Sequence, residues 1–182
     1  MYHRNHMQFT PTEITGAWLI DVERLTDERG FFARVGCERE FAAHGCIRPP
    51  VQASIAFSER RGTLRGLHYQ RAPHEEAKWV RATSGAAYVV AVDLRHDSPS
   101  YRRWIGVELS AENRRTLYVP PGCAQGYQTL IDGTEMLYQM SEFYEPAAAR
   151  GVRYDDPGFA IRWPLPVTII SEKDCHWPNY VS

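Results

Sequence analysis

Residues 61–85, RGTLRGLHYQRAPHEEAKWVRATSG, concentrate ionisable side chains in a segment that otherwise has the composition of two β-strands. His68 lies between Leu67 and Tyr69, Arg65 precedes it, and Lys78 begins the second strand. An imidazole can take up and release a proton near neutral pH, and an ammonium group can stabilise negative charge that forms on a substrate oxygen. These residue types are suited to acid–base chemistry, but the solvent-facing side of a small β-protein also carries polar residues, so the rest of the chain must decide between the two interpretations.

The elements that must position these side chains are short strands rich in β-branched and aromatic residues. Turn residues such as Pro, Gly, Asn and Asp separate them, which is the rhythm of an all-β barrel or sandwich. The segments are AWLIDV, VQASIAF, TLRGLHYQ, KWVRAT, AAYVVAVDL, RWIGVEL, TLYVP, AQGYQTLI and EMLYQMS.

Few helices are expected in this chain of 182 residues, which we interpret as a single domain, 1–182. EREFAAHG, near residue 40, is the best short-helix candidate, and the polar segment SAENRR is of the type that closes a β-hairpin. After Tyr144 the clean alternation ends, and the Pro-rich segment that follows is expected to wrap around the barrel as an ordered tail, with N-terminal strands packed against the barrel as well.

Alternation along the strands predicts which side chains share a face. In AAYVVAVDL one face carries small residues and ends in a carboxylate: Ala87, Val89, Ala91 and Asp93. Such a face predicts a void in the barrel, where a polar ligand could bind. In TLRGLHYQ strict alternation separates Arg65 from His68, but a β-bulge at Gly66 would turn Arg65 toward the histidine.

Composition excludes several classes of function. The net charge of -1 argues against a nucleic-acid or membrane partner, and 43% hydrophobic with 24% charged residues is typical of a soluble globular protein. No apolar run is long enough to span a bilayer, and no signal peptide is recognisable. The cysteines show no CxxC spacing, so we expect free thiols and a cytoplasmic location.

Metal and cofactor sites are not expected. A metal-binding β-barrel would carry a second histidine close to His68 and another near position 125, where this chain has Gln125. A site built from two histidines and a carboxylate, using His74 or His44, stays open as an alternative. Dinucleotide and P-loop motifs do not occur in the sequence.

Longer segments resemble a known family. They are DERGFFAR (27–34), GTLRGLHYQ (62–70), KWVRATSGAAYVVAVDLR (78–95), SPSYRRWIGVELSAENRRTLYVPPG (98–122), ARGVRYDDPGFAIRWP (149–164) and ISEKD (170–174). Together, in this order and over nearly the whole chain, they resemble the dTDP-4-dehydrorhamnose 3,5-epimerase family. The resemblance implies a metal-free, cupin-type jelly-roll barrel, generally a homodimer, that inverts carbons beside the ketone of a nucleotide-linked 4-keto-6-deoxy sugar.

Such a reaction needs a base, an opposing acid, and a cation near the oxygen of the enolate intermediate. The resemblance implies that His68 is the base and that Asp174 pairs with it. It gives Tyr138 the role of the opposing acid, and it places Lys78 near the C4 oxygen.

The resemblance also implies the substrate-binding residues. Arg65 and Arg29 would bind the diphosphate, because the arginine fork fits phosphate oxygens. Gln52 and Ser54, on the preceding strand, would add polar contacts.

Aromatic contacts to base or ribose would come from Tyr144 and Phe31. In the family the ERGFF turn, which contains Phe31, reaches into the site of the neighbouring subunit. A homodimer would then be the functional unit.

One departure from the family affects the predicted outcome of the reaction. The family commonly has a histidine in FAHGF where this chain reads CAQGY, and Gln125 does not titrate. Asp93 would then be a hydrogen-bond partner of Gln125 or Lys78, and Ser54 replaces a family asparagine. The alternatives that stay open are a single-carbon epimerase or keto-isomerase, a non-catalytic sugar-nucleotide-binding barrel and, last, a metal-dependent oxygenase.

Overall fold

The structure, a computed structural model, describes residues 6–46 and 48–180. Within these ranges it consists of two β-sheets packed face to face, a small two-stranded sheet and two short helices. The expectation of an all-β protein with few short helices is confirmed.

The first sheet is antiparallel throughout and has six strands. In spatial order they are β1 (Met7–Pro11), β2 (Trp18–Val22), β10 (Thr116–Val119), β7 (Lys78–Ser84), β12 (Thr134–Met140) and β5 (Gln52–Ser58).

The second sheet places the histidine-bearing strand β6 near one edge. In spatial order its strands are β13 (Ala149–Gly151), β6 (Thr63–Gln70), β11 (Cys123–Thr129), β8 (Ala86–Asp93) and β9 (Trp104–Ser110), and β14 (Ile169–Ile170) pairs in parallel with β6. Both β13 and β14 come from the tail that follows Tyr144, so two segments of this tail pair with β6.

The remaining elements are a hairpin and two helices. The hairpin consists of β3 (Leu25–Asp27) and β4 (Gly30–Phe32), and the helices are α1 (Glu38–Ala43) and α2 (Glu172–Cys175). The helix expected near residue 40 is thus confirmed as α1.

Three apolar clusters explain the hydrophobic patterns of the strand sequences. The central cluster lies between the sheets and joins Val80 and Leu117 of the first sheet to Val89 and Tyr127 of the second. A second cluster covers the outer face of the first sheet, where α1 packs. A third lies where the tail covers the outer face of β8, so that β8 is buried on both faces and its sequence is apolar almost throughout.

Two expectations about the strands were wrong. SAENRR does not close a hairpin, because β9 pairs with β8 while β10 pairs with β2 and β7, so the turn connects the two sheets. The face of Ala87, Val89 and Ala91 does not line a void either. These side chains belong to the central cluster, where larger residues such as Tyr127 and Leu109 fill the space beside them.

Candidate active site

A cavity of about 360 Å³ opens between β5, β7 and β12 of the first sheet and β6 and β11 of the second. It occupies the part of the inter-sheet space that the central cluster does not fill. Seven of the expected site residues line it: Ser54, Arg65, His68, Lys78, Gln125, Tyr138 and Tyr144.

The bulge expected at Gly66 explains how Arg65 and His68 reach the same cavity. The pairing of β6 with β11 shifts register at this point, while Leu67 between them packs on the opposite face of the sheet. Gly66 has a φ of 108°, and a Cβ there would lie 2.7 Å from the Cα of Gly126. Only glycine therefore allows this close approach of the two strands.

His68 is hydrogen-bonded to Asp174, whose α2 segment packs against β6. The distance between Nε2 of His68 and Oδ1 of Asp174 is 2.7 Å, and Oδ2 accepts a hydrogen bond from the Gly66 N–H at 3.1 Å. Burial opposes ionisation of this carboxyl group, but the hydrogen bonds from His68, Gly66 and Trp177 lower the pKa of Asp174 to about 2. Since the carboxylate is ionised, Nε2 of His68 is the donor and Nδ1 is left as the proton acceptor.

Tyr138 lines the cavity from the first sheet. It lies on β12 opposite Ser54 of β5, and its ring centroid is 6.2 Å from that of Tyr127. Burial, reinforced by the neighbouring Tyr127, raises the pKa of the Tyr138 phenol well above its usual value. The phenol therefore keeps its proton over the working pH range and can act as a donor.

Lys78 carries its ammonium group into the cavity, where two oxygens hold it. Nζ lies 3.0 Å from Oε1 of Glu76 and 3.3 Å from the backbone oxygen of His68. The side chains of both Lys78 and Glu76 are only 10% exposed. A nearly buried cation is thus fixed close to the backbone of the proposed base.

Arg65 is held by β5, a strand of the first sheet. Its Nε donates to the hydroxyl of Ser58 at 3.3 Å, and its guanidinium donates to the backbone oxygen of Phe57 at 3.0 Å. Gln52 does not line the cavity itself, but its Oε1 accepts from the backbone N–H of Tyr144 at 2.8 Å. Gln52 therefore supports the segment that carries Tyr144.

Arg29 and Phe31 lie on the β3–β4 hairpin and do not line the cavity of their own chain. The guanidinium of Arg29 forms an ion pair with Asp27 of the same hairpin. The ring of Phe31 lies 5.1 Å and 4.9 Å from the guanidinium groups of Arg24 and Arg114. Their substrate contacts, which the family resemblance assigns to a neighbouring subunit, stay a prediction.

The expected partnership of Asp93 with Gln125 or Lys78 was wrong. β11 pairs with β8 so that Asp93 lies opposite Cys123, and its fully buried carboxylate faces the turn that follows β8. The side chains that donate to it are those of Arg95, Ser98 and Ser100, together with the thiol of Cys123. Burial opposes ionisation, but the arginine and the two serines lower the pKa of Asp93 to about 2. Gln125 instead donates to the backbone oxygen of Gly126.

Among the cavity residues that were missed at the level of sequence are three charged side chains and an indole: Glu76, Arg150, Lys173 and Trp177. Spacing could have indicated three of them, since Glu76 lies two residues before Lys78, and Lys173 and Trp177 lie within three residues of Asp174. Arg150 had no such signal, because it enters the site through the pairing of β13 with β6.

The part of the chain that the structure describes lacks two kinds of feature. No group of three or more His, Cys, Asp or Glu side chains is arranged to hold a metal ion. No helix there has the length and hydrophobicity needed to cross a membrane.

Comparison with known proteins identifies relatives over nearly the full length. Residues 11–181 match the family described as dTDP-4-dehydrorhamnose 3,5-epimerase. The enzyme of that name from Methanothermobacter thermautotrophicus is 42% identical, covering 93% of this chain and 92% of its own.

Solved structures agree with this match. The Legionella pneumophila 3,5-epimerase in complex with dTDP-4-keto-L-rhamnose superposes with a TM-score of 0.87 at 33% identity, covering 97% of this chain and 100% of its own. ChmJ from Streptomyces bikiniensis, a 3'-monoepimerase in complex with dTDP-quinovose, gives 0.83 at 32% identity, covering 93% and 86%. The cupin-type fold expected from the sequence is confirmed. The chain belongs to the dTDP-4-dehydrorhamnose 3,5-epimerase family.

Proposed function

We propose that this protein is an isomerase that epimerises dTDP-4-dehydro-6-deoxyglucose at C3 and C5, forming dTDP-4-dehydrorhamnose. The family assignment and the agreement with epimerase structures support this activity. The single observation that carries the mechanism is that His68, paired with Asp174, and the protonated Tyr138 line one cavity from different sheets.

Proton transfer would proceed between these side chains. Nδ1 of His68 removes the proton from the carbon beside the ketone, and Asp174 stabilises the imidazolium that forms. Charge then accumulates on the ketone oxygen, where the ammonium group of Lys78 lowers its energy. Tyr138 donates a proton to the opposite face of the planar enolate, which inverts the centre.

Substrate recognition would use the cations and the exposed ring at the cavity. Arg65 and Lys173 both line it and offer donors to a diphosphate, and the ring of Tyr144 offers a stacking surface for the base. Ser54 and Gln125 would orient the sugar by hydrogen bonds. Gln52 would hold the Tyr144 segment in place by accepting a hydrogen bond from its backbone N–H.

The decisive experiment follows the reaction by NMR in deuterated water. Epimerisation at both centres would introduce solvent deuterium at C3 and at C5 of dTDP-4-dehydro-6-deoxyglucose and give the rhamno product. Absence of exchange at every carbon, despite binding of the nucleotide sugar, would contradict the proposed activity.

A single-carbon epimerase is the second candidate. Gln125, which cannot transfer protons, and the similarity to a 3'-monoepimerase both favour it. Deuterium confined to C3, with the C5 centre unchanged, would establish this outcome in the same experiment.

A homodimer, in the cytoplasm, is part of the proposal. The β3–β4 hairpin exposes Phe31 and Phe32, and the edge strand β5 exposes Ile55 and Phe57, so both could meet a second copy. All four cysteines lie among the described residues and are free thiols, which agrees with a reducing compartment.

Subunit mixing tests the shared site. If the hairpin completes the neighbour's cavity, an Arg29→Ala chain and a His68→Asn chain are each inactive, but a mixed dimer contains one intact site. Activity that reappears on mixing and subunit exchange supports the dimer. Activity that stays absent in verified mixed dimers, or an active monomer in sedimentation analysis, contradicts it.

A further inference from the structure

We infer that Trp177 is a positioning residue for the His68–Asp174 pair, an inference that rests on the proposed function for its catalytic meaning. Nε1 of the indole lies 3.1 Å from Oδ1 of Asp174, the same oxygen that accepts the hydrogen bond from His68 at 2.7 Å. The rings of Trp177 and His68 meet edge to face, with centroids 6.4 Å apart. One side chain thus contacts both members of the pair and also forms part of the cavity wall.

Packing fixes the indole in this position. Gly151 of β13 pairs directly with His68, and a Cβ at Gly151 would lie 2.2 Å from the Trp177 ring. The ammonium group of Lys173 lies over the face of the indole, 5.2 Å from the ring centroid. The absence of a side chain at Gly151 therefore makes the space that lets the indole reach Asp174.

The shared oxygen has a chemical consequence. A second donor on Oδ1 withdraws electron density from the carboxylate and weakens its hold on the imidazolium, so that His68 gives its proton back more readily. Without the indole N–H the carboxylate would bind the imidazolium more strongly. The other titratable or charged groups that line the cavity around the pair all keep their identity when Trp177 is replaced: Arg65, Tyr69, Glu76, Lys78, Tyr127, Tyr138, Tyr144, Arg150 and Lys173.

The test replaces Trp177 by Phe, which keeps an aromatic ring and removes the donor. The matched control is Trp163→Phe, which removes an indole hydrogen bond of 2.9 Å to the backbone oxygen of Tyr154, outside the cavity. The measurement is an NMR titration of the His68 ring, assigned by its disappearance in a His68→Asn variant. It needs no turnover.

We expect the titration midpoint of His68 to rise in Trp177→Phe and to stay unchanged in Trp163→Phe. The acid limb of the pH profile of kcat/KM should move in the same direction. Gly151→Ala, which retains the indole but displaces it, should raise the midpoint as well and serves if Trp177→Phe fails to fold.

An unchanged His68 midpoint in folded Trp177→Phe, or in Gly151→Ala if only that variant folds, overturns the inference. If the His68 midpoint rises in Trp177→Phe but the wild-type protein shows no epimerase activity, the positioning role stands and the proposed function is contradicted.

Discussion

His68 and Tyr138 line one cavity from different sheets, the imidazole on β6 and the phenol on β12. The sheets pack face to face, so a flat sugar ring bound between them would meet a proton acceptor on one side and a donor on the other. The roles of the two residues can therefore be separated by experiment, because removal of a proton and delivery of a proton to the other face are different steps.

Replacement of His68 by Asn should abolish the first step. We expect solvent exchange and epimerisation to fall by about 10² to 10⁴, since no general base then remains in place. The rate is measured by NMR in deuterated water, and thermal unfolding serves as the folding control. Wild-type exchange in this variant would remove His68 from the mechanism.

Tyr138→Phe should uncouple exchange from inversion. Deuterium would still enter the carbon beside the ketone, because His68 can return a proton to the face from which it came. Formation of the inverted product should fall by about a hundredfold or more. Equal loss of exchange and inversion would assign Tyr138 to a different role.

Lys78→Gln should lower kcat more than it raises KM, because the ammonium group acts mainly on the charge of the enolate. It should also destabilise the fold by about 1 to 3 kcal/mol, because Glu76 is left as a nearly buried carboxylate without its cation. The double variant with Glu76→Gln should recover stability but not activity. Chemical denaturation and steady-state kinetics measure the two effects, and recovery of both together would contradict a catalytic role for Lys78.

Asp93 should make the free energy of unfolding depend on pH in the acid range. Its pKa is lowered from 3.8 in the unfolded chain to about 2 in the folded one, so its contribution is fully present above the unfolded value. The contribution is lost as the pH falls through the folded value. Asp93→Asn should therefore reduce the unfolding free energy at neutral pH by about 3 kcal/mol, and show a smaller further fall between about pH 5 and pH 2.

Denaturation curves across this pH range provide the measurement for Asp93. Asp97→Asn is the control, because Asp97 lies exposed in the same turn. Parallel acid profiles for Asp93→Asn and the wild type would show that Asp93 does not supply the pH dependence.

Much of the fold was readable from local sequence. All nine strand segments named from β-branched and aromatic runs are strands, and the bulge at Gly66 followed from a glycine inside a polar strand. These features depend on neighbouring residues only. The connection through SAENRR was misread because a polar turn has the same composition whether its flanking strands pair with each other or belong to different sheets.

Residues of the site could be predicted where a local sequence motif contains them, but not where pairing between distant segments brings them together. His68 and Lys78 were found because both lie on recognisable strands, and Asp174 was found only through resemblance. Asp93 was misassigned because alternation gives the face of a side chain but not the loop that lies beyond the end of the strand. Trp177 was missed because its role appears only when α2 packs on β6.

The attachment of the tail to β6 determines when, during synthesis, the His68–Asp174 pair can form. The carboxylate of Asp174 lies 106 positions after His68, and β14 pairs with β6 across the same distance, whereas β13 pairs with β6 from a nearer part of the sequence. A nascent chain therefore lacks the His68–Asp174 hydrogen bond until Asp174 has been synthesised and α2 has docked on β6.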